Sequence, residues 1–206
     1  MRPPKLILLT GLLAGITAGL QAAPETFDFK DPKGVNNAVF KLDAPLESIN
    51  GSASGISGTV TFDPENPAAL QGKIVVASES LMVPNPMQKE HLHGTNWLDV
   101  ATYPQISFES KSFANVKTTD NVTTGDLTGN FTLKGVSKEI TTPVKLTYLK
   151  GKLGDRVPGL KGDLLVIRAN FAINREDYNI QPGQYRDKVS TNIDLTLSIA
   201  GASPQP

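Results

Sequence analysis

The sequence predicts an all-β, antiparallel, single-domain fold that closes into a barrel, and three features carry that prediction. Apolar and polar residues alternate with a period of two through six separate segments, as strands with one buried and one wet face require. Several of these segments run ten residues or more, longer than the ~5–6 of an ordinary strand. The links between them are short, as in "KGVS" at Lys134–Ser137, which suits a meander of neighbouring hairpins. A two-layer sandwich is the rival arrangement, and strand length favours the barrel.

The chain opens on Arg2 and Lys5, then an apolar run, Leu6–Leu20, interrupted by Gly11, Gly15 and Thr17 and followed by "QAAP". That is the architecture of a cleaved export signal, with the cut near Ala22 or Ala23. Residues 1–23 are therefore expected to be a signal peptide, and the protein to be periplasmic. A membrane span would need a longer run with a basic flank behind it. From Pro24 onward about 183 residues remain, enough for one domain with a sizeable core. Without Arg2 and Lys5, the 20 basic and 20 acidic residues of the whole chain become a formal charge of −2. Such a balance offers nothing to nucleic acid or to an anionic membrane surface. There is no cysteine, which excludes disulfides, thiol nucleophiles, iron–sulfur clusters and a thiol-linked lipid anchor.

The strands follow in order. "TVTFD" sets Val60 and Phe62 on one face, and "PQISFES" does the same with Ile106 and Phe108. "GDLTGNFTLKG" aligns Leu127, Gly129, Phe131 and Leu133, and "KEITTPVKLTYLK" aligns Ile140, Val144, Leu146 and Tyr148. "DLLVIRANFAINR" aligns Leu165, Ile167, Ala169, Phe171 and Ile173. "KVSTNIDLTLSIA" closes the series with Val189, Thr191, Ile193, Leu195, Leu197 and Ile199. Gly51–Gly58 and Lys150–Asp163 read as loops or glycine-loosened strand starts. The domain is expected to end at residue 200, leaving 201–206 as a disordered tail.

Two connections break the alternation. In Val83–Pro104, Asn85 is a helix cap, Pro86 suits the first helical position and Gly94 is a stop, so a short helix is expected over Met87–His93. Asn174–Tyr185 is a second irregular crossing with a turn of helix.

Catalytic chemistry finds few candidates. There is no G-x-S-x-G elbow, no S-x-x-K, no phosphate-binding glycine loop and no paired carboxylate. His91 and His93 are the only histidines, and on a strand they would share a face and could chelate a metal. On a helix they diverge by roughly 200°, and a third ligand would have to come from Glu90 or Asp99. A metal-dependent enzyme built on His91 and His93 is therefore the alternative to a binding protein. The plainer expectation is that His91 packs at a barrel end while His93 faces water. The inward residues mix large (Phe62, Phe108, Phe131, Phe171) with small (Gly58, Gly129, Ala169). That mixture fits either a channel or a filled barrel acting as a scaffold through its surface.

Three stretches together resemble one family. "HLHGTNWLDVATYPQISFES" (His91–Ser110), "GDLTGNFTLKGVSKEITTPV" and "FAINREDYNI" are similar, in order and spacing from about Gly34 to Ile199, to motifs of the YceI-like family. These are lipocalin-like, polyisoprenoid-binding proteins of the bacterial periplasm. His91, Leu92, Leu98, Asp99, Tyr103, Pro104, Ile106 and Phe108 match its first motif, and Asn174, Arg175, Asp177 and Tyr178 its last. Trp97 and Leu98 stand where the family has two phenylalanines, and Asn179 where it has glycine. The family's usual histidine after the first strand is missing.

The resemblance implies an extended, eight-stranded, lipocalin-like antiparallel barrel with one or two short helices on its connections. It implies an apolar channel for an isoprenoid lipid, a quinone or polyprenyl chain, with no enzymatic activity and no cofactor beyond that lipid. A homodimer and a transient membrane-protein partner belong to the same expectation. The residues expected to line the channel are Phe62, Trp97, Leu98, Ile106, Phe108, Leu127, Phe131, Ile167 and Phe171. Arg175, and more weakly His91, are expected beside a polar headgroup. The competing role for Arg175 is an ion pair with Asp99 or Asp177 that pins the two crossings together.

Overall fold

The computed structural model describes residues 24–206, and the expected signal peptide, residues 1–23, lies outside the described residues. Eleven strand segments form one antiparallel sheet. They are β1 (Glu25–Asp28), β2 (Asn37–Asp43), β3 (Ser48–Ala53), β4 (Ile56–Phe62), β5 (Gln71–Ala77) and β6 (Leu81–Met82), then β7 (Gln105–Thr119), β8 (Val122–Leu133), β9 (Val136–Leu149), β10 (Lys161–Asn174) and β11 (Asn192–Gln205).

Three of the passes along the barrel are broken, which reconciles eleven segments with eight strands. β1 and β2 both pair with β11, through Asp28↔Ala202 and Asn37↔Ser198, and the loop 29–36 bulges out between them. β3 and β4 are two halves of the next pass, since β2 pairs with β3 and β1 with β4. β5 and β6 are halves of the third, separated by a single 3₁₀ turn at Ser78–Ser80. Each pass then neighbours the next in sequence, and the β1–β11 pairing closes the ring. The fold is thus an eight-stranded, closed, antiparallel meander, as expected, and closure removes the exposed edges of an open sheet.

The long alternating segments became the long strands for the expected reason. From Asp126 onward in β8 the buried positions are Leu127, Gly129, Phe131 and Leu133, with polar neighbours outside. Outward threonines pair across strands, as Thr128 does with Thr141 at 2.8 Å. Gly58 and Gly129 are small because of the backbone: a Cβ at Gly129 would lie 2.4 Å from the Glu109 carbonyl oxygen, and one at Gly58 2.1 Å from that of Lys73. Gly58 also sits at φ +114, which only glycine adopts without strain.

Two expectations are corrected. Residues 201–205 are not a disordered tail: Gly201–Gln205 is the last third of β11, paired with β10 from Leu165 to Lys161. Val189 and Thr191 precede that strand rather than belong to it. The helix is found as expected: α1 (Pro86–His93) is capped by Asn85 Oδ1, which accepts from the Met87 and Gln88 amides at 2.9 and 3.2 Å. A second helical turn, α2 (Leu153–Arg156), lies in the Lys150–Asp163 connection. The crossing after β10 holds a 3₁₀ turn, Arg175–Tyr178. Asn179 follows at φ +55, so it adopts the left-handed conformation for which the family uses glycine.

Candidate functional site

The barrel is hollow. Between its two ends lies a cavity with about 200 Å³ open to the centre of a water-sized sphere. Its wall is made by the inward positions of nearly every pass: Ala38, Phe40 and Leu42 on β2, Ile74 and Val76 on β5, Phe108 on β7, Leu127 and Phe131 on β8, and Ala169 and Phe171 on β10. The filled-barrel expectation is thereby overturned. Of the nine residues expected to line a channel, Trp97, Leu98, Ile106, Phe108, Leu127, Phe131, Ile167 and Phe171 do line it.

Phe62 does not, and the reason is depth. It has the same parity as Val60, which lines the cavity, but it sits one layer further along β4. There it is 2 % exposed and packs with Phe27, Leu165 and Ile199. Alternation specifies the face of a strand and is silent about which layer of the barrel a residue reaches.

That layer closes one end. Tyr148 joins it, with its ring 6.2 Å from those of both Phe27 and Phe62. Its hydroxyl donates to Asp163 Oδ2 at 2.5 Å, and the Gly151 amide donates to the other oxygen at 2.6 Å. Burial and then the hydrogen bond to Asp163 push the Tyr148 hydroxyl pKa upward. Glu25 lies beside Asp163. Burial, and then the Asp163 charge, raise its carboxyl above the usual value, and Glu25 Oε2 is buried with no hydrogen-bond partner among the described residues. The cluster went unseen in the sequence, although Asp163 is a polar residue at the inward parity of Leu165, Ile167 and Ala169.

At the other end the pairing of β5 with β7 stops at Ala77↔Gln105, and the α1 connection spans the opening. His93 Nε2 lies 2.8 Å from the Leu81 carbonyl oxygen on one side, and Tyr103 packs against Gly135 on the other. Leu92, Trp97 and Leu98 face the cavity from this connection. The two histidines are reversed relative to expectation: His91 is exposed and outside the cavity wall, whereas His93 is half-buried. His91 is accordingly not placed to meet a headgroup. The pair lies on α1, facing apart, and among the described residues no group of three His, Asp or Glu side chains gathers around a common point.

Among the described residues Arg175 is the one charged side chain in the cavity wall, and it is fully buried. Its partners are neither Asp99 nor Asp177. Nε donates to the Ser190 carbonyl at 3.1 Å, Nη1 to Ile180 and Gln181 at 2.6 and 2.5 Å, and Nη2 to Gln184 and Val189 at 2.5 and 3.2 Å. A guanidinium has five N–H donors, and all are used. Arg175 therefore does pin a crossing, by gathering backbone carbonyls rather than by an ion pair. The same crossing is held on its outer side by Glu176, bound bidentately by Arg186 at 2.9 and 2.8 Å. The Arg186 hydrogen bonds and that of the Gly183 amide lower the Glu176 pKa to about 2. Tyr178 stacks edge-on against Phe131 at 5.7 Å, and burial pushes its hydroxyl pKa up to about 12.

A closed eight-stranded meander around an apolar cavity, with one end plugged by aromatic rings and the other covered by a helical connection, defines a small-molecule container of the lipocalin-like kind. Residues 31–200 match the family model for the YceI-like domain, and the chain belongs to that family. Among its relatives is a UPF0312 protein of Yersinia pestis, 33% identical over 156 residues that span 74% of this chain and 73% of the relative. Protein YceI of Escherichia coli is 30% identical over 153 residues, with the same shares covered. Among solved structures, Burkholderia cenocepacia BcnA superposes with a TM-score of 0.66 at 20% identity, over 80% of this chain and 95% of its own. A polyisoprenoid-binding domain from Saccharophagus degradans superposes with a TM-score of 0.62 at 12% identity, over 88% of this chain and 100% of that domain.

Proposed function

We propose that this protein binds an isoprenoid-type amphiphilic lipid, a quinone or polyprenyl chain, inside the barrel, and stores or carries it without catalysing a reaction. One observation carries the reading: the cavity wall is almost wholly hydrocarbon, and the single charged side chain among the described residues that line it has every donor committed to the protein's own carbonyls. Such a wall chiefly rewards transfer of apolar area from water. Each methylene contributes about 0.8 kcal/mol, so a chain of a few five-carbon units offsets the cost of immobilisation without directional contacts. The similar fold of a domain described as polyisoprenoid-binding supports the same ligand class here. The signal-like residues 1–23 support a periplasmic location. A homodimer, or a membrane-protein partner that loads and unloads the barrel, would complete this role.

Solvent extraction of the purified protein followed by mass spectrometry tests the reading, alongside titration of the emptied protein with a prenylated quinone. A co-purified prenyl lipid or saturable uptake is the expected result. Absence of both overturns the proposal.

A further inference from the structure

We propose that Tyr148, braced from beneath by Asp163 and flanked by Phe62 and Phe27, is the stop that sets how long a chain the barrel accepts. The inference rests on the lipid-binding reading and adds a specificity residue to it.

The cavity ends at the same layer on three strands. On β4, Val60 lines it and Phe62 does not; on β9, Leu146 lines it and Tyr148 does not; on β10, Ile167 lines it and Leu165 does not. The register places these in step, with Leu146 opposite Ile167 and Tyr148 opposite Leu165. One layer is therefore cavity wall, and the next, about 6.8 Å further along each strand, is packed ring and aliphatic side chain. Phe62 and Leu165 in that layer are at most 2 % exposed, as are Phe27 and Ile199 packed against them.

The mouth and the floor differ in kind. The mouth is covered by two connections, whereas the floor is held on both of its faces. From the side, Phe27 meets the Tyr148 ring edge-on at 82°. From below, Asp163 takes the Tyr148 hydroxyl, and Asp163 is itself 1 % exposed. Moving the ring aside would strip a buried carboxylate of a donor and set a hydrocarbon chain beside it and Glu25. Burying an unsatisfied carboxylate is among the costliest changes a protein interior can undergo. A hydrocarbon tail that reaches past Val60, Leu146 and Ile167 thus meets a packed layer whose Tyr148 ring is held in place, and chain beyond that depth stays outside the barrel.

A series of prenyl alcohols with one head and increasing numbers of isoprene units tests the stop. For the unaltered protein, affinity should rise by roughly tenfold or more with each unit that enters, because each buried methylene is worth about a factor of four. Affinity should then level at a defined length. Tyr148→Ala, which opens the floor, should move the levelling point at least one unit longer. Val60→Phe, which adds bulk just above the floor, should move it shorter, and it decides the question alone if Tyr148→Ala does not fold. Tyr148→Phe keeps the ring but loses the bond to Asp163, and should move the levelling point longer, by less than Tyr148→Ala does. Cooperatively folded Tyr148→Ala and Val60→Phe variants whose levelling point stays where the unaltered protein has it overturn the stop and leave lipid binding intact. Failure of the unaltered protein to bind any member overturns the lipid reading itself, and the stop falls with it.

Discussion

The Arg175 guanidinium lies 5.9 Å from the centre of the Trp97 ring while donating to five backbone carbonyls of the segment 180–190. One side chain thereby ties the crossing after β10 to the connection carrying α1, and Trp97 continues the stack onto Tyr185 at 6.0 Å. Lysine offers three donors without the planar fork, so Arg175→Lys leaves carbonyls of this segment unpaired. The expected loss is about 2–4 kcal/mol in urea unfolding, with Arg175→Ala at least as severe. A lysine variant of unchanged stability would show that the carbonyl cluster contributes little.

The same saturation bears on ligand heads. With no free N–H on Arg175, an anionic head gains no charged partner in the cavity wall. A prenyl chain ending in a carboxylate should bind no tighter than the matching alcohol. Competition between the two at equal chain length checks this, and a marked preference for the acid would return Arg175 to the role of a headgroup receptor.

Two glutamates should respond to pH in opposite directions. Glu25 has a folded pKa raised above its ordinary value of 4.5, through burial first and then the Asp163 charge, so the fold binds its proton more tightly than the unfolded chain does. Its penalty is fully present above the folded pKa and disappears as pH falls toward 4.5. Glu25→Gln should therefore raise the melting temperature at pH 8 and have little effect at pH 4. Glu176 is the reverse case, its pKa lowered from 4.5 to about 2 by Arg186 and the Gly183 amide. Its contribution is present above 4.5 and is lost as pH falls toward 2. Glu176→Gln should lower the melting temperature at pH 7, with the difference from the unaltered protein closing toward pH 2. Thermal melts across pH 2–8 read both.

Legibility in the sequence followed the length and regularity of each element. β8, β9, β10 and β11 were readable because alternation persists over a dozen residues or more, and α1 because Asn85, Pro86 and Gly94 punctuate it. β5 was not, since Ile74, Val75 and Val76 run together without alternation. β1 has four residues, too few to show a period. The extension of β11 through "GASPQ" was hidden because Gly, Ser and Pro there read as an ending, while the pairing that orders them comes from β10. In the site, parity located the cavity wall but not its floor, so Phe62 was misplaced by one layer. The environments of Arg175 and Asp163 depend on atoms that converge only in the folded chain.

Ala169 offers a test that separates a hollow barrel from a packed one. It lies mid-cavity on β10, opposite Val144 and Leu197, and is 5 % exposed. In a filled core, replacing alanine by phenylalanine forces neighbours off their rotamers and costs about 1–3 kcal/mol. Here the added ring enters empty apolar space, where it makes dispersion contacts the present wall lacks. Ala169→Phe should leave the urea midpoint unchanged or raise it. By occupying the cavity it should also weaken uptake of a prenylated quinone by tenfold or more. Stability and binding would then move in opposite directions, as expected where an interior is kept empty for a ligand. A variant destabilised by more than about 1 kcal/mol with uptake unaffected would place Ala169 in packed core instead.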